Sequence, residues 1–171
     1  MTRKPMTEQQ RQRIKLHIKN GLDISDLIAD YSIRKEDLSG AIITKFNRAY
    51  DDMSDVNLTR CVIGLPNTTN NISHAKLRRS RWCDTIVKGV LFARKCDCRD
   101  ADFSGASLTN VEYQFCNFRG AKFCETFLRI GSDFGWGAEF DEKFFSDLAR
   151  GWNVKITPLT EEEIKQQKKK K

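Results

Sequence analysis

From Ala101 the chain divides into fives: ADFSG, ASLTN, VEYQF, CNFRG, AKFCE and TFLRI. The third residue of each is large and apolar: Phe103, Leu108, Tyr113, Phe118, Phe123 and Leu128. The first is small or β-branched: Ala101, Ala106, Val111, Cys116, Ala121 and Thr126. A strict period of five matches neither the 3.6-residue helix repeat nor the two-residue strand repeat. Upstream the frame continues through CDCRD at Cys96, with Lys95 counted as one inserted residue. AKLRR, SRWCD, TIVKG and VLFAR precede it, starting at Ala75, Ser80, Thr85 and Val90. The polar stretch 66–74 (PNTTNNISH) reads as a loop. Before that, six fives run in one phase over residues 36–65. Of the seventeen third positions only Arg48 is not apolar, whereas a hydrophobic content of 39% would leave most of them polar by chance.

The arrangement resembles the pentapeptide-repeat family, whose loose pattern is A(D/N)LxX. Residues 36–41 (EDLSGA), 56–58 (VNL), 101–103 (ADF) and 116–118 (CNF) carry the resemblance. Phe46-Asn-Arg48 and the acidic first position Asp51 depart from it. The resemblance implies an all-β fold, a right-handed quadrilateral β-helix. In it four fives make one square coil, the first and third residues point inward, and the other three point out. Seventeen fives then give about four coils, a rod roughly 20 Å long at the usual 4.8 Å strand separation. Each coil satisfies its neighbours' backbone, so open edges remain only at the two ends and need covering.

Residues 1–35 are expected to form a helical N-terminal cap. Thr7-x-x-Gln10 is a capping-box pattern, and Ile14, Ile18 and Leu22 follow on one face. Asn20-Gly21 would stop that helix, with a second short one over 23–31. Residues 36–130 are expected to form the β-helix. Residues 131–171 are expected to be a C-terminal helical cap and basic tail, with a helix over 141–150 burying Phe144, Phe145 and Leu148, and a polar one opened by Thr160-x-x-Glu163.

The polar N-terminus carries no signal-peptide core and no apolar run reaches membrane-spanning length, so a cytoplasmic protein without a membrane partner is expected. Six cysteines in such a compartment read as thiols. Cys61, Cys96 and Cys116 hold first positions and Cys98 a third, where a small apolar side chain fits, while Cys83 and Cys124 fall outside. Cys96-x-Cys98 lacks the second ligand pair that zinc sites use, so neither metal nor cofactor is expected. His17 and His74 are the only histidines, and no phosphate loop, dinucleotide motif or nucleophile elbow is present, so no enzyme is expected.

The net charge of +7 favours acidic partners. Frames starting at 75, 96 and 116 put Arg78, Arg99 and Arg119 at the same fourth position of successive coils, with Lys76, Arg79 and Arg81 beside the first. Unless screened, like charges about 4.8 Å apart repel. This face is the candidate anion or partner site, although Asp97 and Asp100 flank Arg99. Ile86, Leu91, Phe115 and Phe127 are the outward hydrophobics. Two functions follow. The first is a rigid protein-interaction module, for which the resemblance suggests modulation of a nucleic-acid enzyme such as a topoisomerase. The resemblance implies that such modulation works by imitating duplex DNA, which needs a strongly acidic surface, and this chain is basic. The alternative is direct binding of nucleic acid or another polyanion by the Arg face. A homodimer through terminal helices stands beside the monomer.

Overall fold

The computed structural model describes residues 3–108, 111–128, 137–141 and 144. Within them the strands are short and paired only in parallel: β1 (Ile42–Ile43), β2 (Val62–Ile63), β3 (Thr69–Asn71), β4 (Ile86–Val87), β5 (Val90–Phe92), β6 (Ser107–Leu108), β7 (Val111–Glu112) and β8 (Phe127–Leu128). One sheet runs β1-β2-β4-β6-β8 and another β3-β5-β7. Two further columns are built of single bridges. Asp37, Asn57, Arg81, Asp102 and Lys122 stack in one, and Asp52, Lys76, Asp97, Asn117 and Glu139 in the other. The chain therefore visits four columns in turn and rises one rung per circuit.

The five-residue unit has a simple physical basis. At most corners the first residue of the next five donates its amide to the third-position carbonyl of the last, as Ala106 does to Phe103 at 3.0 Å and Ala41 to Leu38 at 3.1 Å. The fifth residue then holds the turn position that demands a positive φ, which glycine takes freely. Gly40 and Gly105 do so at 76° and 71°, but Tyr50, Asp55, Arg60, His74, Arg79, Asp84, Lys95, Asp100, Phe115 and Glu125 take it too.

First and third residues face a continuous core. Leu38, Leu58, Trp82, Phe103 and Phe123 form one inner column, and Ile33, Met53, Leu77, Cys98 and Phe118 another, all buried. The core is aliphatic at its N-terminal end and aromatic towards the other, where Phe103 stacks on Phe123 at 5.3 Å and Phe118 on Phe140 at 5.0 Å. Hydroxyl side chains at first positions are satisfied internally. Thr85 Oγ1 donates to the Leu58 carbonyl at 2.6 Å and Ser80 Oγ to that of Leu77 at 2.7 Å. The third-position cavity lined by Ala93 and Cys98, with Leu77, Trp82, Phe103 and Phe118, has a volume of about 30 Å³.

Two expectations are corrected. The loop over 66–74 is shorter, because Asn70 and Ile72 are buried like any first and third residues and β3 lies within it. Asn70 fits because its Oδ1 accepts the Phe46 amide at 2.6 Å, so a polar side chain replaces a missing backbone partner. The inserted residue is Val90, not Lys95. Leu91 and Ala93 are buried, Val90 is exposed and Phe92 half-buried, so the five runs 91–95 and Leu91 points inward rather than outward. Pairing of Val62 with Ile86 and of Ile86 with Ser107 carries the extra four residues and one residue respectively. Both insertions leave at one corner, where the Val90 amide donates to the Thr68 carbonyl at 2.9 Å. Gly89 is required there, since a Cβ would lie 2.4 Å from the Thr68 oxygen and 2.7 Å from that of Leu65.

At the N-terminal end, α1 (Glu8–Lys19) is capped by Thr7, whose hydroxyl accepts the Gln10 amide at 3.2 Å, and ends at Asn20. Ile14 is buried and Ile18 half-buried, whereas Leu22 lies beyond the helix and is exposed. The one-turn α2 (Ser25–Ile28) follows, and the Ile24 amide joins the ladder at the Ile42 carbonyl, 3.0 Å. Arg48 departs from the pattern without disrupting the coil. Fully buried, it points at this end, donating to the Tyr31 carbonyl at 2.7 Å, to the Ile28 carbonyl and to Asp51 at 3.2 Å. Arg3 meets the same Asp51 carboxylate at 2.5 Å, so Asp51 is paired from two sides. At the other end Phe144 is buried against Phe123 and Phe140. The remaining helical expectations over 145–171 lie outside the described residues.

Candidate partner-binding surface

The bridges Lys76↔Asp97↔Asn117 put Arg78, Arg99 and Arg119 in register at the fourth position of successive rungs. The column starts earlier than the fives suggested. The Lys35 amide donates to the Ser54 carbonyl at 3.1 Å, so Arg34 and Ser54 precede Arg78. The guanidinium groups are not equally available. Arg99 is held bidentate by Asp97 at 2.8 and 2.7 Å, Arg119 lies 3.5 Å from Glu139, and Arg34 lies 3.6 Å from Asp52. Arg78 makes no ion pair among the described residues, and its buried Nε has no hydrogen-bond partner there. Lys76 and Arg81 are exposed and likewise unpaired among the described residues.

Arg79 belongs to a different feature. Its Nε and Nη2 grip Asp55 at 2.7 and 3.0 Å. At that corner Lys35, Asp55, Arg79 and Asp100 alternate in sign up the rod. The hydrogen bonds from Arg79 and Arg99 hold the Asp55 and Asp97 carboxyls below their ordinary values. Much of the basic face is thus neutralised from within, which leaves Lys76, Arg78 and Arg81 as its free charge.

The thiols are structural in placement. Cys61, Cys96, Cys98 and Cys116 are buried, Cys83 is half-buried and Cys124 exposed, all unbridged. The Cys96 amide donates to Cys116 Sγ at 3.4 Å. Burial pushes the Cys61 thiol up to about 12 and drives Cys98 well above its ordinary value, so neither supplies a thiolate. Among the described residues no cluster of three or more ligating side chains could hold a metal ion. His17 lies on α1 and His74 at a corner of the rod.

Ile42, Val62 and Ile86 stand at the outward position of β1, β2 and β4, in register. Ile86 is 46% exposed, and the insertion corner beside it shows Leu65 and Val90 at 47% and 39%. Sequence reasoning found Ile86 and missed its neighbours, because their alignment depends on where the insertions fall. Among the described residues no helix is long and apolar enough to cross a membrane.

The geometry defines a class, the parallel β-solenoids whose rung is built from four five-residue sides. Residues 93–123 match the family described as pentapeptide repeats (8 copies), so that stretch of the chain carries pentapeptide repeats. Similar solved structures include a pentapeptide repeat protein from the Arabidopsis thaliana thylakoid lumen, 21% identical over 77% of this chain and 70% of that one, with a TM-score of 0.32. HetL, involved in heterocyst differentiation regulation in the cyanobacterium Nostoc sp. strain PCC 7120, is 15% identical over 70% of this chain and 57% of its own, at 0.37. A trypsin-treated variant of QnrB1, a plasmid-mediated fluoroquinolone resistance protein, is 10% identical over 81% of each chain, at 0.34. Among curated proteins, none matches.

Proposed function

We propose that this chain is a non-enzymatic, cytoplasmic interaction module: a right-handed quadrilateral rod of about four coils, covered by helical elements at both ends, that docks a protein partner on its outer faces. The observation that carries the reading is the outward Ile42-Val62-Ile86 column with exposed Leu65 and Val90 beside it. These side chains stand at outward strand positions and take no part in the inner columns. A rigid scaffold with an apolar strip and internally paired charge suits protein docking better than a bare polyanion site. A nucleic-acid enzyme such as a topoisomerase remains the partner class suggested by the resemblance to resistance proteins, although by a route other than imitation of DNA's charge.

A photoreactive amino acid at position 86, introduced in cells, tests this. A discrete cross-linked protein that disappears with Val62→Asp is expected, and the absence of any product refutes the docking strip. A second reading is favoured by one observation, the unpartnered Arg78 guanidinium flanked by free Lys76 and Arg81. On that reading the face takes a polyanion, with affinity falling steeply as salt rises.

A further inference from the structure

One corner of the rod differs from the others. Its fifth positions are Tyr50, His74, Lys95, Phe115 and Gly137, all with positive φ. They are in register. The Tyr50 amide donates to the Ser73 carbonyl at 2.9 Å, that of His74 to Arg94 at 2.8 Å and that of Lys95 to Gln114 at 2.8 Å. The corner of Gly40, Arg60, Asp84, Gly105 and Glu125 mixes glycine with both signs of charge, and that of Lys35, Asp55, Arg79, Asp100 and Gly120 alternates them. Among the described residues the Tyr50 corner alone carries aromatic rings, and none of its five residues is acidic.

These rings are outside the core. Tyr50 is 74% exposed and Phe115 51%. A bulky side chain is disfavoured at positive φ, where glycine is free, as Gly137 shows on this same column. The rings nonetheless form an ordered surface. Tyr50 and His74 stack with centroids 4.6 Å apart and planes within 6°. Phe115 is seated on Gly137, where a Cβ would come within 2.5 Å of its ring. Lys95 stands between the stacked pair and Phe115, and makes no ion pair among the described residues.

The charge beside the corner completes the argument. The nearby carboxylates are engaged: Asp51 by Arg3 and Arg48, Asp52 by Arg34, Asp97 by Arg99, and Glu112 by Arg94. The cations Lys95, Lys76 and Arg78 are not. Exposed flat rings in a line, with unpaired cations alongside, match one polymer, whose bases stack and whose phosphates attract cations. We infer that the Tyr50-His74-Lys95-Phe115 corner is a binding site for single-stranded nucleic acid. The bases lie against the rings and the backbone against Lys95, Lys76 and Arg78. From Tyr50 to Phe115 the site spans three rungs, about 14 Å, which suits a short segment of strand. Recognition is tolerant of sequence, because stacking uses a face that every base has. This site is distinct from the Ile86 strip and independent of what docks there.

The test is fluorescence anisotropy of the full chain with labelled fifteen-nucleotide oligo(dT) and oligo(rU), at low and at physiological salt, against a duplex of equal length and inorganic polyphosphate. Salt-sensitive binding that prefers single strands to both competitors is expected. Tyr50→Ser with Phe115→Ser should weaken it at least tenfold, and Lys95→Gln should flatten its salt slope. A 2-aminopurine oligomer should lose fluorescence on binding the native chain, a readout that needs no variant to fold. No binding at low salt overturns the inference. So does binding that survives loss of both rings, preference for the duplex, or equal competition by polyphosphate. Cross-linking from position 86 should be unchanged in the ring variant, which separates the fate of this site from that of the protein-docking strip.

Discussion

Replacing Arg48 by methionine removes a fully buried guanidinium while keeping a long side chain in its place. In the native chain that group donates to the Tyr31 and Ile28 carbonyls and pairs with Asp51, itself only 12% exposed. Methionine leaves the two carbonyls without their side-chain donor, at about 1–3 kcal/mol for each one that water does not reach. It also strips one of the two cations from Asp51, and breaking a buried pair costs about 3–5 kcal/mol when no other partner remains. Arg3 stays 2.5 Å from that carboxylate and limits this second cost. Relief from desolvating Arg48, which lowers its own pKa, offsets a further part. The expected net loss is about 3 kcal/mol, concentrated at the N-terminal end, because each rung contacts only its neighbours. Urea unfolding followed by far-UV circular dichroism reads the total. Hydrogen exchange reads its location, with protection lost first at the amides of Ile24 and Ile28. Arg48→Met with Asp51→Ala should recover part of the loss. A single variant as stable as the native chain, with unchanged exchange, would refute the view that Arg48 ties α2 to the first coil.

Three further outcomes follow from the same geometry. Gly89→Ala should destabilise by about 2 kcal/mol or more in urea unfolding, because the Cβ meets two carbonyl oxygens that cannot rotate away; a neutral result would mean that the corner yields. Cys98→Val, filling a cavity of about 30 Å³, should stabilise by up to about 0.7 kcal/mol at ~24 cal/mol per Å³, and a Tm that does not rise would refute the packing argument. Asp55 and Asp97 have folded pKa values lowered by their arginines, so their stabilisation is present above the ordinary carboxylate range and is lost as pH falls through the folded values. Asp55→Asn with Asp97→Asn should flatten the fall in stability below about pH 4, and an unchanged acid limb would show that other carboxylates govern it.

The interior of the rod was legible because every circuit repeats the same demand, a small residue and then a large one facing in. Phe103, Phe118 and Phe123 announce themselves on that count. The rule failed where a side chain met the demand by other means. Asn70 occupies an apolar position because its amide oxygen bonds to Phe46, and no composition signal marks that. Val90 and Leu91 are both apolar, so hydrophobicity alone did not place the insertion between them. Arg48 broke the pattern openly, yet its use depends on where the Tyr31 and Ile28 carbonyls end up. The alignment of Arg78, Arg99 and Arg119 could be read from spacing, and Asp97 beside Arg99 pointed to its pairing, but the partner of Arg119 could not be read, because Glu139 joins the column outside the twenty-residue spacing. The Tyr50 corner was hidden for a related reason. Its members share the fifth position, which the repeat leaves unconstrained, and their adjacency emerges only after the two insertions are assigned.

Those insertions leave from one edge and nowhere else among the described circuits before Thr109. A residue added within a flat side would exchange inside for outside along every later five, whereas one added at the Leu65 and Gly89 bend lengthens an outward excursion and hands the next side on in phase. The edge therefore works as a splice point. New peptide, natural or engineered, can be accepted there while the rungs above and below keep their pairing, and a lineage of such rods can vary its contour at that edge without reinventing its interior.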